Sequence, residues 1–320
     1  MKILVTGATG FVGQALCRSL FQEGHSLRLA VRHEDDRAHA LGKAVRSPLY
    51  CVGDINATTN WNAALQGIEA VIHLAALVHQ MDKSALPSLA DYRAVNREGT
   101  AHLARSAVNA GVRRLLFLSS IKVNGEITTD QPFTEACVPA PEDPYGISKW
   151  EAEQALAGIA RDSGLEVVVL RPTLMYGAGV KGNFLRLMSA VNRRLPLPLG
   201  AIRNKRSLLY LGNLIDAITL SINSPQAAGK TFLVSDGEDY STSELILALA
   251  KALKVRPILL PVPPFAIRIT GKIMNKNAEV HRLLSSLQVD SRKIRTELAW
   301  TPRFRLADGI EQTAAWFRNR

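Results

Sequence analysis

Tyr145 and Lys149 stand four positions apart in the run Tyr145-Gly146-Ile147-Ser148-Lys149. On a helix that spacing puts both side chains on one face, with the ammonium close to the phenol. A free phenol ionises only near pH ~10, and a neighbouring cation favours its phenolate. Such a couple can exchange a proton with an alcohol oxygen, the step that must accompany hydride transfer at the adjoining carbon. Upstream lies a partner for that chemistry, Thr6-Gly7-Ala8-Thr9-Gly10-Phe11-Val12-Gly13. A short apolar strand precedes this run at 2–6. A helical pattern follows over 11–23, with Phe11, Ala15, Leu16 and Leu20 as packing positions. Gly7 permits the tight turn, Gly10 lets the backbone approach a pyrophosphate, and Gly13 lets the helix lie against the sheet. The phosphates then sit at the helix N-terminus, which makes Gly7, Thr9, Gly10, Phe11, Val12 and Gly13 the expected dinucleotide cradle.

The remaining elements must hold these two groups together. Further strands are expected at 27–31, 49–52, 70–74, 115–119 and 166–171, with helices over 89–109 and 145–162 between them. This alternation implies an α/β fold, a Rossmann-type doubly wound parallel sheet. After Arg171-Pro172 the pattern loosens, with proline-rich stretches at 195–198 and 257–264, as in a smaller C-terminal substrate-binding domain. The expected division is 1–172 plus about 206–235 for the dinucleotide and 173–205 plus about 236–320 for the substrate. Open α/β sheets bind ligands at the carboxyl ends of their strands, so Ser120 or Ser119, ending the strand 115–119, faces the cleft with a hydroxyl for the substrate oxygen.

Composition fits such an enzyme. The 320 residues, 47% of them hydrophobic, can bury a large core, and no stretch approaches the length of a membrane span. The first strand begins at Lys2, which leaves no room for a signal peptide and predicts a cytoplasmic protein without integral membrane association. Cys17, Cys51 and Cys137 show no Cys-x-x-Cys spacing, so reduced thiols are expected rather than disulfides or a metal site. The net charge of +11 is scattered, with local clusters at Arg193-Arg194, 203–206 and 292–295. Without interleaved aromatic residues this pattern predicts a solvated basic surface and small anionic ligands, not nucleic acid. The helix 89–109 offers a face for a homodimer.

The chain resembles the extended short-chain dehydrogenases/reductases of the nucleotide-sugar epimerase and dehydratase type over nearly its whole length. The resemblance is carried by the glycine spacing, Gly53-Asp54-Ile55, His73-Leu74-Ala75-Ala76, Asn96 before Gly99-Thr100, Ser119-Ser120, Tyr145 with Lys149, and Arg171-Pro172 before Tyr176-Gly177. It implies that Ser120 is the catalytic hydroxyl, that Tyr145 is the acid-base, and that Lys149 also binds the nicotinamide ribose. It further implies that Asp54 and Ile55 meet the adenine, that Leu74, Ala75 and Ala76 line the NAD(P) site, and that Asn96 and Pro172 belong to it. Asn183, Arg206 and Arg282 resemble contacts to a UDP-sugar.

Departures from the family pattern bear on the reaction. Sugar dehydratases place an Asp-Glu pair after the catalytic hydroxyl, where this chain has Ile121-Lys122; dehydration ranks well behind the other reactions because neither side chain replaces the carboxylates. Typical 4-epimerases have a tyrosine at the position of Asn124, a lysine near Val78 and an asparagine near Leu174. The second strand ends in Arg32, which suits a 2′-phosphate and favours NADP(H) over NAD(H), although Glu34, Asp35 and Asp36 follow closely. The segments 117–126 and 232–238 resemble a subgroup encoded with bacterial surface-polysaccharide pathways, whose members resemble UDP-N-acetylquinovosamine 4-ketoreductases. The expectation is C4 reduction of a UDP-4-keto-6-deoxy-N-acetylhexosamine, with a UDP-sugar 4-epimerase second. A dinucleotide-sensing regulator on this fold would lack the Tyr-Lys couple.

Overall fold

The computed structural model describes residues 1–78, 87–274 and 277–320. Strands β1 (Lys2–Thr6), β2 (Ser26–Val31), β3 (Leu49–Cys51), β4 (Ala70–His73), β5 (Arg114–Leu118) and β6 (Glu166–Pro172) enter one parallel sheet, joined at its edge by β9 (Thr231–Val234). The order is β3-β2-β1-β4-β5-β6-β9 in a 7-stranded sheet. β5 is buried at every position, as a strand covered on both faces requires. Register lines up Leu29, Val5, Ile72, Leu116 and Val168 across the sheet, and Val169 pairs with Thr231 at its edge. On one face the helices Phe11–Gln22 and Leu211–Asn223 bury Leu16, Leu20, Leu214 and Ile218. On the other, Thr100–Asn109 and Pro144–Ser163 bury Leu103, Ala107, Ala152 and Leu156.

The order in which strands are added to the sheet reverses between β1 and β4, the switch point at which such parallel sheets open a ligand crevice. His73 ends β4 there. Its Nδ1 lies 2.7 Å from Thr6 Oγ1 and its Nε2 2.9 Å from Thr100 Oγ1. Burial, then the Lys149 charge, pushes His73 down to about 3, so this ring is a neutral strut that fixes the start of the 74–78 loop.

Two local expectations are revised. The continuous helix expected over 89–109 consists of Leu89–Tyr92, a π-helical stretch Arg93–Gly99, and Thr100–Asn109. The wide turn brings Asn96 against the 74–78 loop, an event that apolar periodicity does not encode. The segment 206–235 divides between two sheets. Thr231–Val234 joins the main sheet, whereas β8 (Arg206–Tyr210) pairs with β7 (Leu174–Tyr176) and β10 (Asp239–Tyr240) in a 3-stranded sheet. Tyr210 draws β8 there by packing its ring against Tyr176 and Phe304 in a second core with Phe184, Leu249 and Ile310.

Candidate active site

The glycine loop follows β1 directly. Gly7 adopts φ +68°, and a Cβ there would come 2.7 Å from Ala75 N; one on Gly13 would come 2.2 Å from Gly7 O. These positions exclude any side chain. Gly10 caps the helix Phe11–Gln22 with no side-chain hydrogen bond, and the first turn has no acidic residue. The helix start thus offers backbone N–H groups and a positive dipole end. A cavity of about 710 Å³ lies over it, lined by Gly7, Thr9, Gly10, Phe11, Val12 and Gly13, by Arg32, Ile55 and Leu74 to Ala76, and by Tyr145 and Lys149. An uncapped helix start beneath an open, partly apolar cavity fits the diphosphate and rings of a nicotinamide dinucleotide. Leu174, Met175, Val180 and Lys181 complete the wall, and the sequence reading assigned none of them to the cofactor. Asp54 is turned to another task, its Oδ1 accepting Arg32 Nε at 2.8 Å in an exposed ion pair.

The helix Pro144–Ser163 starts at the opposite wall. Asp143 caps it by accepting the Gly146 N–H at 2.7 Å, and Pro144 occupies its first turn. Tyr145 and Lys149 share one face, as the spacing predicted. Lys149 is buried; its Nζ donates to Leu118 O at 2.8 Å, lies 4.3 Å from the Phe117 ring centre and 5.9 Å from that of Tyr145. Burial pushes Lys149 down to about 7, with Glu153 opposing. Tyr145 is shifted contrary to the sequence expectation. Burial, then the Asp143 and Tyr92 charges, raises its phenol above the ordinary value, so the phenol is neutral.

The two serines separate. Ser119 is buried and donates to Glu153 Oε1. Glu153 also accepts Arg171 Nε at 3.0 Å, Arg171 Nη1 donates to Asn124 Oδ1 at 2.9 Å, and Asn124 Nδ2 donates to Thr134 O at 3.1 Å. Asn124 is therefore a member of a buried structural network. Ser120 is partly exposed and caps the short turn Ile121–Val123, its Oγ accepting the Lys122 N–H at 3.2 Å. Its own hydroxyl proton has no acceptor among the described residues, which leaves it free for a substrate oxygen. Lys122 Nζ in turn bonds Asp143 Oδ2 and, at 2.6 Å, Glu126 Oε1. One lysine thereby joins the Ser120 turn to the cap of the Tyr145 helix. No spacing rule in the sequence marks that connection.

Ser119 reaches the cavity lining, whereas Ser120, Asn96, Pro172, Asn183, Arg206 and Arg282 stand outside it. Asn96 exchanges hydrogen bonds with the Leu77 backbone at 2.8 and 3.0 Å and donates to Ser148 Oγ at 3.0 Å, which braces the loop and the catalytic helix from behind. Pro172 is buried at the end of β6. Asn183 is exposed in the first turn of the helix Gly182–Asn192. Arg206 and Arg282 are brought together: Arg206 Nη1 donates to Arg282 O at 3.0 Å, and Arg282 Nη1 lies 4.0 Å from Glu126 Oε2. Burial lowers the Arg206 pKa, and Glu126 opposes the shift.

The glycine loop and the Tyr145–Lys149 pair thus face one cavity on a Rossmann-type parallel sheet. The sequence profile of the NAD dependent epimerase/dehydratase family matches residues 3–235, and the chain belongs to that family. It is 45% identical over 319 residues to a Vibrio cholerae protein named UDP-glucose 4-epimerase, covering 99% of this chain and 95% of that one. Among solved structures, UDP-glucose 4-epimerase from Thermotoga maritima with UDP-glucose superposes with a TM-score of 0.80 at 23% identity, covering 100% of this chain and 99% of the other. UDP-glucuronic acid 4-epimerase from Bacillus cereus in complex with NAD gives a TM-score of 0.80 at 21% identity, with coverage of 100% and 99%. Among the described residues, no helix is long and apolar enough to cross a membrane.

Proposed function

We propose that the chain interconverts C4 epimers of a UDP-sugar with NAD held in the glycine-loop cavity. The likeness at 45% identity across nearly the whole chain carries the choice of reaction. One structural observation supports it: Asn124 serves the Arg171 network, so that departure from the epimerase pattern loses weight. When bound, the nicotinamide accepts a hydride from C4 and returns it. Tyr145 exchanges its proton with O4, and its neutral phenol is the donor when the C4 carbonyl is reduced. In the opposite half-reaction the Lys149 ammonium favours the phenolate that takes the proton back. Ser120 donates its free hydroxyl proton toward O4 and holds the oxygen during both transfers. The backbone at Gly10 and the helix start hold the cofactor diphosphate.

A 4-ketoreductase acting on a UDP-4-keto-6-deoxy-N-acetylhexosamine is the second reading. It is favoured by the raised, donor-ready Tyr145 phenol and by Arg32 where a 2′-phosphate would lie. Incubation with UDP-glucose and with UDP-GlcNAc, and separately with the 4-keto-6-deoxy sugar nucleotide plus NADH or NADPH, distinguishes the two. Interconversion of C4 epimers without net change in nicotinamide absorbance supports the epimerase. Stoichiometric cofactor consumption with the keto sugar, and no epimer formation, would establish the reductase instead.

A further inference from the structure

Most of the large apolar side chains exposed among the described residues fall in three stretches of the C-terminal part: Leu195, then Ile258 and Leu260, then Phe265, Ile269 and Met274. The segments that carry them are joined. Leu197 N donates to Ile258 O and Leu260 N to Leu197 O, each at 2.8 Å, which places the 195–197 stretch beside 258–260. The helix Pro264–Ile273 follows these segments directly in the chain. Ile267 and Gly271 point inward, where a Cβ on Gly271 would come 2.6 Å from Val280 Cγ2, so this side of the helix is closed against its neighbour Asn277–Leu284. Phe265 and Ile269, one turn apart, point outward and are 65% and 56% exposed. Arg268 and Lys272, also one turn apart, stand exposed beside them.

The charge on this face has one sign. The sequence holds no Asp or Glu between Glu166 and Asp216, nor between Glu244 and Glu279. Arg193, Arg194, Arg256, Arg268 and Lys272 are exposed and form no ion pair among the described residues. An apolar stripe flanked by unneutralised cations on a helix is the arrangement that seats in the headgroup region of an anionic bilayer, and the 10-residue helix is too short to do more than lie there.

We propose that the face formed by helix Pro264–Ile273 and the adjoining 193–197 and 256–260 segments docks the protein peripherally on an anionic lipid surface. A second copy of the chain is a poor occupant, because it would bring two cationic faces together. A nucleic acid would lack aromatic platforms, Phe265 being the lone exposed ring on the face.

Flotation of the full chain with vesicles of phosphatidylglycerol and phosphatidylcholine, and of phosphatidylcholine alone, tests this. Recovery with the anionic vesicles is expected, falling by ~10-fold or more when phosphatidylglycerol is omitted or salt is raised to ~1 M. Phe265→Ser/Ile269→Ser is expected to weaken recovery by ~10-fold while leaving the melting temperature and turnover of free sugar nucleotide unchanged. Arg268→Gln/Lys272→Gln should act similarly on vesicle binding. No recovery with anionic vesicles, equal recovery with both vesicle types, or undiminished recovery of the apolar double variant would overturn the proposal. So would conversion of a dimer to a monomer by that variant, which would mark the face as a contact between copies.

Discussion

Lys122 is ion-paired to Asp143, so the turn that presents Ser120 is tied to the cap of the helix that presents Tyr145. Removing the lysine frees the two elements from each other and leaves the Asp143 charge uncompensated beside a phenol it already raises. Misplacement by an ångström costs ~10²-fold in rate, so Lys122→Met should lower kcat by ~10- to 100-fold with a smaller change in KM. Lys122→Arg, which keeps the cation, should restore most of the rate. Steady-state kinetics of both variants check this; a wild-type kcat in Lys122→Met would show that the tie is dispensable.

Tyr145→Phe removes one oxygen and nothing that holds the fold. The phenolic oxygen has no partner among the described residues, and the edge contact with the Tyr92 ring, 6.3 Å between centres, survives in phenylalanine. Turnover should fall by ~10²–10⁴-fold, the usual contribution of an acid-base group. Cofactor affinity and melting temperature should stay near wild type, as fluorescence titration and thermal unfolding would show.

Lys149 links the site to stability. Its pKa is about 7 in the folded chain against 10.5 ordinarily, because burial disfavours the ammonium. Between those pH values the unfolded chain binds the extra proton, so stability gains from this residue as pH rises from about 7 toward 10.5. Below about 7 both states are protonated and the burial penalty is fully present. In urea titrations of the cofactor-free protein between pH 7 and 9, the upward slope should be at most ~1.4 kcal/mol per pH unit from this group. Lys149→Met should abolish that increment and also weaken cofactor binding; an unchanged slope would remove Lys149 as its source.

Much of the site was legible because its chemistry depends on short spacings. Gly7, Gly10 and Gly13 encode their turn within one loop, and Tyr145 with Lys149 encode a helical face. What stayed hidden depends on contacts between distant segments. Ser119 and Ser120 are neighbours of one residue type, and only Glu153 and Arg171, converging from a helix and the next strand, show which hydroxyl is spent. Lys122 stands where a dehydratase has a carboxylate, and while its partner Glu126 is one helical spacing away, Asp143 is 21 residues on and only the folded chain brings it there. The Asn96 brace needs a π-helical turn, for which the apolar pattern over 89–109 carries no signal. The phenol shift was misjudged because spacing conveys the nearby charge and not the desolvation.

The Arg32–Asp54 pair makes cofactor preference testable. Arg32 Nε lies 2.8 Å from Asp54 Oδ1, with both side chains largely exposed, and Arg32 lines the cavity at the end of β2. Exposed pairs of this kind contribute little, ~0–1 kcal/mol, so the guanidinium can leave Asp54 for a 2′-phosphate at small cost. If it does, Arg32→Asp removes that cation and sets a second carboxylate beside Asp54, which repels a phosphate dianion far more than a neutral ribose hydroxyl. The expected outcome is a ~10-fold or greater loss of NADPH affinity with a smaller change for NADH. Asp54→Asn, which frees the guanidinium, should shift preference toward NADPH. Dissociation constants for both cofactors, measured on the three proteins, decide the matter: equal effects on NADH and NADPH in both variants would take Arg32 out of cofactor selection and leave NAD, the cofactor in the family's description, as the reading.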